Sequence, residues 1–100
     1  MPYLLCYDIE DDRRRDKTAA KLIELGFFRI QESVFAGNPG DSALRALEDW
    51  LQKHFPSPPA NNDKAILLSC TQRQLESARV FGQTPPDWLL LVDPPNTLIM

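Results

Sequence analysis

The pattern of apolar and polar residues divides the chain into alternating strands and helices. Short apolar runs bounded by charged or turn-forming residues predict strands, because such runs are too short for a helix. These runs cover residues 3–9, 27–36, 64–70 and 88–92. Apolar residues at helical spacing, preceded by an acid or a hydroxyl residue, predict helices between them. The helices reach to about residues 25 and 55, and a short third helix falls within residues 71–81.

The helix ends have sequence signals of their own. Asp11 or Asp12 is predicted to cap the first helix, and Asp41 or Ser42 the second. Gly26 follows the first helix at the position where a positive φ is common. The buried face of the first helix is predicted to carry Ala19, Leu22 and Ile23.

Polar residues interrupt the second apolar run in the middle. Gln31, Glu32 and Ser33 separate two short apolar segments. A β-bulge or a tight turn at this point would divide the run into two short strands, and the pattern is compatible with either.

The order of these elements predicts an α+β fold. A strand, a helix, one or two strands, a second helix and a further strand follow the split βαβ plan, with an additional C-terminal strand. We expect one domain over residues 1–95 and a short C-terminal tail over residues 96–100. Two helices cover only one face of a sheet, yet the first, fourth and last strands are apolar on both faces. The uncovered face therefore predicts a two-fold homodimer packed through the sheets.

Composition limits the functions open to the chain. Its 100 residues suit a single domain, and 43% of them are hydrophobic. The net charge of −3 argues against bulk electrostatic capture of nucleic acid but allows a local basic patch. Neither a membrane-spanning apolar run nor a secretory signal is present, and Cys6 and Cys70 lie in apolar runs. We therefore expect a cytoplasmic protein with two reduced, buried thiols.

Candidate chemistry begins where the first strand ends. Asp8 follows five residues of strand character, and Arg13, Arg14 and Arg15 come soon after it. A carboxylate near guanidinium groups suits a hard metal ion and a phosphate. The alternative is that Asp8 only begins a turn while the arginines line a solvated helix. Two-fold symmetry could pair Asp8 with its mate, and such a pair suits Mg²⁺ that activates water for attack on a phosphodiester. His54 has no cysteine or histidine partner and receives no role.

Three segments together resemble a known family. YLLCYDI, DDRRRDKTAAKLIELG and RIQESVFAG are similar to the small Cas-two protein of the CRISPR spacer-acquisition module. The resemblance implies a ferredoxin-like βαββαβ homodimer that bridges a partner CRISPR integrase, Cas-one, over foreign DNA. It also implies metal-dependent endonuclease activity on single-stranded RNA or double-stranded DNA in many relatives, and a scaffold role in others.

The resemblance also assigns roles to individual residues. Asp8 would be the catalytic and metal-binding carboxylate. The residues that would bind nucleic acid are Arg13, Arg14, Arg15 and Arg29. The residues that would support the site or the dimer are Tyr7, Ser33 and Phe35. Core packing is the alternative for Phe35, and a structural hydrogen bond is the alternative for Ser33.

Two other functional classes share the predicted fold. A ribonuclease toxin of the virulence-associated D type would need no integrase partner. A ferredoxin-like regulatory module would bind a small ligand at its interface loops and would need neither Asp8 nor the arginine cluster.

Overall fold

The computed structural model of the chain describes residues 1–84, which form four strands and three helices. The elements are β1 (Tyr3–Asp8), α1 (Asp12–Glu24), β2 (Phe28–Gln31), β3 (Val34–Gly37), α2 (Asp41–His54), β4 (Lys64–Ser69) and α3 (Gln72–Glu76). The predicted strand over residues 88–92 and the tail over residues 96–100 lie outside the described residues.

The four strands form one antiparallel sheet in the order β2-β3-β1-β4. β1 lies in the middle and pairs with β3 on one side and with β4 on the other. The sequence order strand, helix, hairpin, helix, strand confirms the predicted α+β fold of split βαβ type.

A hairpin resolves the interrupted second run. β2 ends at Gln31, Glu32 and Ser33 form the turn, and β3 begins at Val34. The register between the two strands also shifts between Arg29 and Gln31. Both devices that the sequence left open are therefore present, a tight turn and an irregularity next to it.

The helix ends agree with the sequence in one case and differ in the other. Asp11 caps α1, where its carboxylate accepts a hydrogen bond from the Arg14 backbone N–H at 2.9 Å. Gly26 has a φ of +91° directly after the helix, as predicted. The prediction of a side-chain cap from Asp41 or Ser42 was wrong, because α2 begins after Gly40, which has no side chain to accept a hydrogen bond.

The main core lies between one face of the sheet and the helices α1 and α2. It combines apolar residues of β1, β3, α1 and α2 with two from the adjoining turns: Leu5, Tyr7, Ile9, Ala19, Leu22, Phe27, Phe35 and Leu47. Ile23 was predicted to share this core but is 58% exposed, because it lies beyond the edge of the buried stripe of α1. None of the described helices has the length and apolar character needed to cross a bilayer.

The other side of the sheet, which we call the open face, has far less cover. Because side chains alternate along a strand, Leu4, Cys6 and Asp8 of β1 share this face with Lys64, Ile66 and Leu68 of β4. Leu75 of α3 packs over one end of it, against Ala36 and Leu4. Ile66 and Leu68 nevertheless remain 61% and 57% exposed.

The open face also corrects the prediction about the thiols. Both cysteines are free, but Cys6 is exposed and Cys70 is only half-buried. The expectation that both are buried in this chain was wrong, because Cys6 projects from the side of β1 that α1 and α2 do not cover.

Candidate metal and nucleic-acid site

Asp8 ends β1 on the open face. Its side chain is exposed, and its partner in the antiparallel register is Lys64, the first residue of β4. Within residues 1–84 its carboxylate takes part in no hydrogen bond and no ion pair. The carboxylate is therefore held by a rigid strand and is free to bind a cation.

The three residues predicted to support the site tie the end of β1 to the β2–β3 hairpin. The Tyr7 backbone N–H donates to the Ser33 carbonyl oxygen at 3.1 Å, and the Tyr7 hydroxyl donates to the Glu32 carbonyl oxygen at 3.3 Å. The Tyr7 ring stacks on the fully buried Phe35 ring, with 6.0 Å between the centroids. Ser33 thus contributes its backbone, and these contacts fix the residue directly before Asp8.

Arg14 is used within the fold. Its Nη2 lies 2.9 Å from the Asp63 Oδ2 atom and donates to the His54 carbonyl oxygen at 3.2 Å. The Asp63 side chain is only 7% exposed, and its Oδ1 accepts from the Glu10 backbone N–H at 3.3 Å. Arg14 and Asp63 therefore connect the start of α1 and the end of α2 to the loop that precedes β4.

Arg15 is also engaged close to its own position in the chain. Its guanidinium donates to the carbonyl oxygens of Ile9 and Glu10 at 3.2 and 3.0 Å. It also forms an ion pair with Asp12 at 2.9 Å. These contacts hold the turn between Asp8 and α1, so the Arg15 guanidinium has only part of its donors left for a phosphate.

The remaining two predicted arginines differ in where they point. Arg13 is exposed, and in the described part of the chain its side chain makes no hydrogen bond or ion pair. The Arg29 guanidinium lies 5.1 Å from the centroid of the Phe35 ring. Arg29 is opposite Phe35 in the register, so it belongs to the face of the sheet that packs on the helices. The structure therefore does not bring Arg29 and Asp8 together on one face.

A single chain offers one free carboxylate to a metal ion at this position. Residues 1–84 contain no group of three or more histidine, cysteine, aspartate or glutamate side chains placed to share a metal ion. Three nearby acids already have partners, since Asp11 caps α1 and Asp12 and Asp63 pair with arginines. Asp8 itself is an unpartnered, hard oxygen donor of the kind that Mg²⁺ prefers. The donor set fits Mg²⁺ if a second carboxylate comes from another copy of the chain.

Lys64 is a cation beside Asp8 that the sequence did not identify. It is 56 residues from Asp8 in the chain and lies opposite it only because β1 pairs with β4. Its strand could be predicted from the sequence, but the register that places it opposite Asp8 could not. A charged residue at the start of a strand was the only signal available.

Comparison with known proteins identifies the family. The family model described as CRISPR associated protein Cas2 matches residues 1–78. The CRISPR-associated endoribonuclease Cas2 of Aeropyrum pernix is 45% identical over 84 residues, which cover 84% of this chain and 88% of that relative. The CRISPR-associated endoribonuclease Cas2 2 of Synechocystis sp. is 35% identical over 94 residues, covering 89% of this chain and 97% of that relative.

Solved structures agree on the fold. A hypothetical protein from Thermus thermophilus matches with a TM-score of 0.66 and 27% identity, over 84% of this chain and 93% of that one. Streptococcus pyogenes Cas2 matches with a TM-score of 0.65 over 82% of this chain and all of that one, and its 18% identity makes it a guide to the fold alone. The family match favours the resemblance to Cas-two over the ribonuclease toxin and the regulatory module. The chain belongs to the CRISPR-associated Cas2 family.

Proposed function

We propose that the chain is a CRISPR adaptation protein that forms a two-fold homodimer and hydrolyses phosphodiesters with Mg²⁺ at a pair of Asp8 carboxylates. The observation that carries the proposal is the position of Asp8, an unpartnered carboxylate at the end of a rigid strand on the open face. The same face exposes Ile66 and Leu68. If two open faces meet, Asp8 lies at the rim of the contact, where a second Asp8 can approach it.

The chemistry of this site is hydrolysis. Mg²⁺, when bound, supplies Lewis-acid activation of water and neutralises charge on the phosphate. Water adds across one P–O bond, so that one fragment keeps the phosphate as a monoester and the other leaves with a hydroxyl. Asp8 from each subunit would hold the cation, while Tyr7, Ser33 and Phe35 keep the strand end in place.

RNA is the first substrate to test, because the similar proteins from Aeropyrum pernix and Synechocystis sp. are named endoribonucleases. Double-stranded DNA is the second, since the adaptation role places the dimer on foreign DNA inside the cytoplasm. Arg13 is the predicted phosphate-binding arginine that is free in the described part of the chain, and Arg14 and Arg15 would add to it only through their remaining donors. Arg29 lies on the other face of the sheet and would not reach a phosphate beside Asp8.

The variant Asp8→Asn tests the hydrolytic part of the proposal. It keeps the shape of the side chain but removes the charge that holds the cation, so we expect cleavage of RNA in Mg²⁺ to fall by about 100-fold or more. Asp49→Asn, at an exposed position on α2, is the matched control and should cleave like the parent. Cleavage should be measured over a range of pH and with EDTA as a blank. An Asp8→Asn dimer that cleaves as fast as the parent would remove Asp8 from the mechanism.

The scaffold part of the proposal has its own test. We propose that the dimer bridges two copies of the CRISPR integrase on foreign DNA, with the integrase providing much of the DNA contact because this chain carries a net charge of −3. Co-purification of the dimer with the integrase, and a joint complex on DNA, are the expected results. A dimer that binds neither the integrase nor any nucleic acid would contradict this role.

A further inference from the structure

Lys64 is held at a fixed position beside Asp8. The two residues form the last opposed pair of the β1–β4 ladder, next to the pair of Tyr7 and Ala65. Opposed residues in an antiparallel pair have Cβ atoms about 4.5–5.5 Å apart and project from the same face. On the outer side of the pair, the Glu10 backbone N–H donates to the Asp63 carboxylate at 3.3 Å. Contacts on both sides of Asp8 and Lys64 therefore hold these two segments of the chain together.

The fold leaves the Lys64 side chain free. It is exposed, and within the described residues it forms no ion pair, even with the carboxylate opposite to it. Arg14 and Arg15, by contrast, form ion pairs with Asp63 and with Asp12. A free lysine on the same face as a free carboxylate can bind an anionic group that lies next to the carboxylate.

We propose that Lys64 binds a phosphate group of the nucleic acid that Asp8 engages. The proposal rests on the proposed function, because that function brings nucleic acid to the end of the sheet where Asp8 lies. Lys64 supplies a positive charge on the open face itself, which Arg29 cannot do from the opposite face. In a two-fold dimer each subunit contributes one such lysine, so two phosphates are bound near the Asp8 pair.

This role gives Lys64 opposite effects on the two ligands of the site. A lysine a few ångströms from a bound dication repels it, so removal of the lysine should strengthen binding of Mg²⁺ alone by about threefold after screening by salt. The same change should weaken binding of nucleic acid, because a phosphate contact is lost. A lysine that served only the pairing of β1 with β4 would change the free energy of unfolding and neither of these quantities in this way.

The test compares Lys64→Gln with the parent dimer on labelled single-stranded RNA over a series of salt concentrations. The slope of log affinity against log salt should become less steep by about 0.7 for each lost contact, hence by about 1.4 for a symmetric dimer. Lys64→Arg should restore the slope. Lys53→Gln removes the same charge from the exposed surface of α2, in the layer on the other side of the sheet, and should leave the slope unchanged.

Mg²⁺ binding by calorimetry and cleavage of the same RNA complete the experiment. Tighter Mg²⁺ binding together with a shallower salt slope and about tenfold slower cleavage supports the proposal. An unchanged slope in Lys64→Gln overturns it, even if Asp8→Asn abolishes cleavage as expected. Conversely, a shallower slope in Lys64→Gln alongside full cleavage by Asp8→Asn keeps the phosphate contact and rejects the catalytic part of the proposed function.

Discussion

At the scale of single residues, the contact between Arg14 and Asp63 is an ion pair with one buried partner. Asp63 is 7% exposed on its side chain, whereas Arg14 is 39% exposed. A buried carboxylate that loses its partner keeps its desolvation cost, so changes at the two positions should not be additive. The pair joins three segments that are far apart in the chain, which gives it more to stabilise than a local surface pair.

A double-mutant cycle with Arg14→Gln and Asp63→Asn should therefore show coupling of about 1 kcal/mol. The exposed pair of Lys21 and Glu24 within α1 is the control, and its coupling should stay at about 0.5 kcal/mol or below. Urea unfolding at one fixed protein concentration measures both cycles. Additive effects at Arg14 and Asp63 would show that the pair is only a surface contact.

Residue patterns predicted the site unevenly. The position of Asp8 could be predicted from the sequence, because a carboxylate that follows an apolar run of strand length lies at the end of the strand. The partners of Arg14 could not be found, because His54 and Asp63 meet it only after α2 and the following loop have folded back. Local sequence also contains no signal that Arg29 shares the face of Phe35 rather than that of Asp8.

At the scale of elements, the end of α1 depends on the backbone of Gly26. Its φ of +91° is a conformation that residues with a Cβ atom rarely adopt, although no atom lies within 4 Å of where a Cβ would be. Gly26→Ala should therefore lower the free energy of unfolding by about 1–2 kcal/mol through backbone strain alone.

Gly26→Asn separates strain from crowding. Asparagine tolerates the left-handed conformation better than alanine, so its cost should be clearly smaller despite its larger side chain. Thermal and urea unfolding of the parent, Gly26→Ala and Gly26→Asn give the order of their stabilities. Equal losses for asparagine and alanine would mean that something other than the positive φ determines the effect.

The elements themselves followed from the sequence more closely than their ends. The spacing of the apolar residues and the length of each run were sufficient to predict β1, α1, α2 and β4. The division of residues 27–36 was not decidable, because Glu32 and Ser33 suit a turn and a bulge equally well in composition. The start of α2 was also missed, because Asp41 and Ser42 are good capping residues yet the chain enters the helix one residue earlier, at Gly40.

At the scale of the whole molecule, the distribution of cover over the sheet links the fold to the proposed function. α1 and α2 bury one face, while the short α3 reaches only one end of the other. Exposed Ile66 and Leu68 therefore stand beside Asp8 and Lys64 on a single surface. Burial of the apolar part of this surface against a second copy would bring two free carboxylates and two free lysines to the edge of one contact.

Two isoleucines of similar exposure test whether the open face is where two copies meet. Ile66 on the open face is 61% exposed, and Ile23 on α1 is 58% exposed. A glutamate at either position costs the single chain little, because both side chains are already largely in water. In a contact between two open faces, however, Ile66→Glu would bury a charge without a partner, twice by symmetry, so it should convert the dimer to a folded monomer. Sedimentation equilibrium and circular dichroism should show that change for Ile66→Glu and an intact dimer for Ile23→Glu, and RNA cleavage should be lost with the dimer because the Asp8 pair separates. Loss of the dimer in Ile23→Glu, with Ile66→Glu still dimeric, would place the contact on the helical side of the molecule and leave Asp8 without its mate.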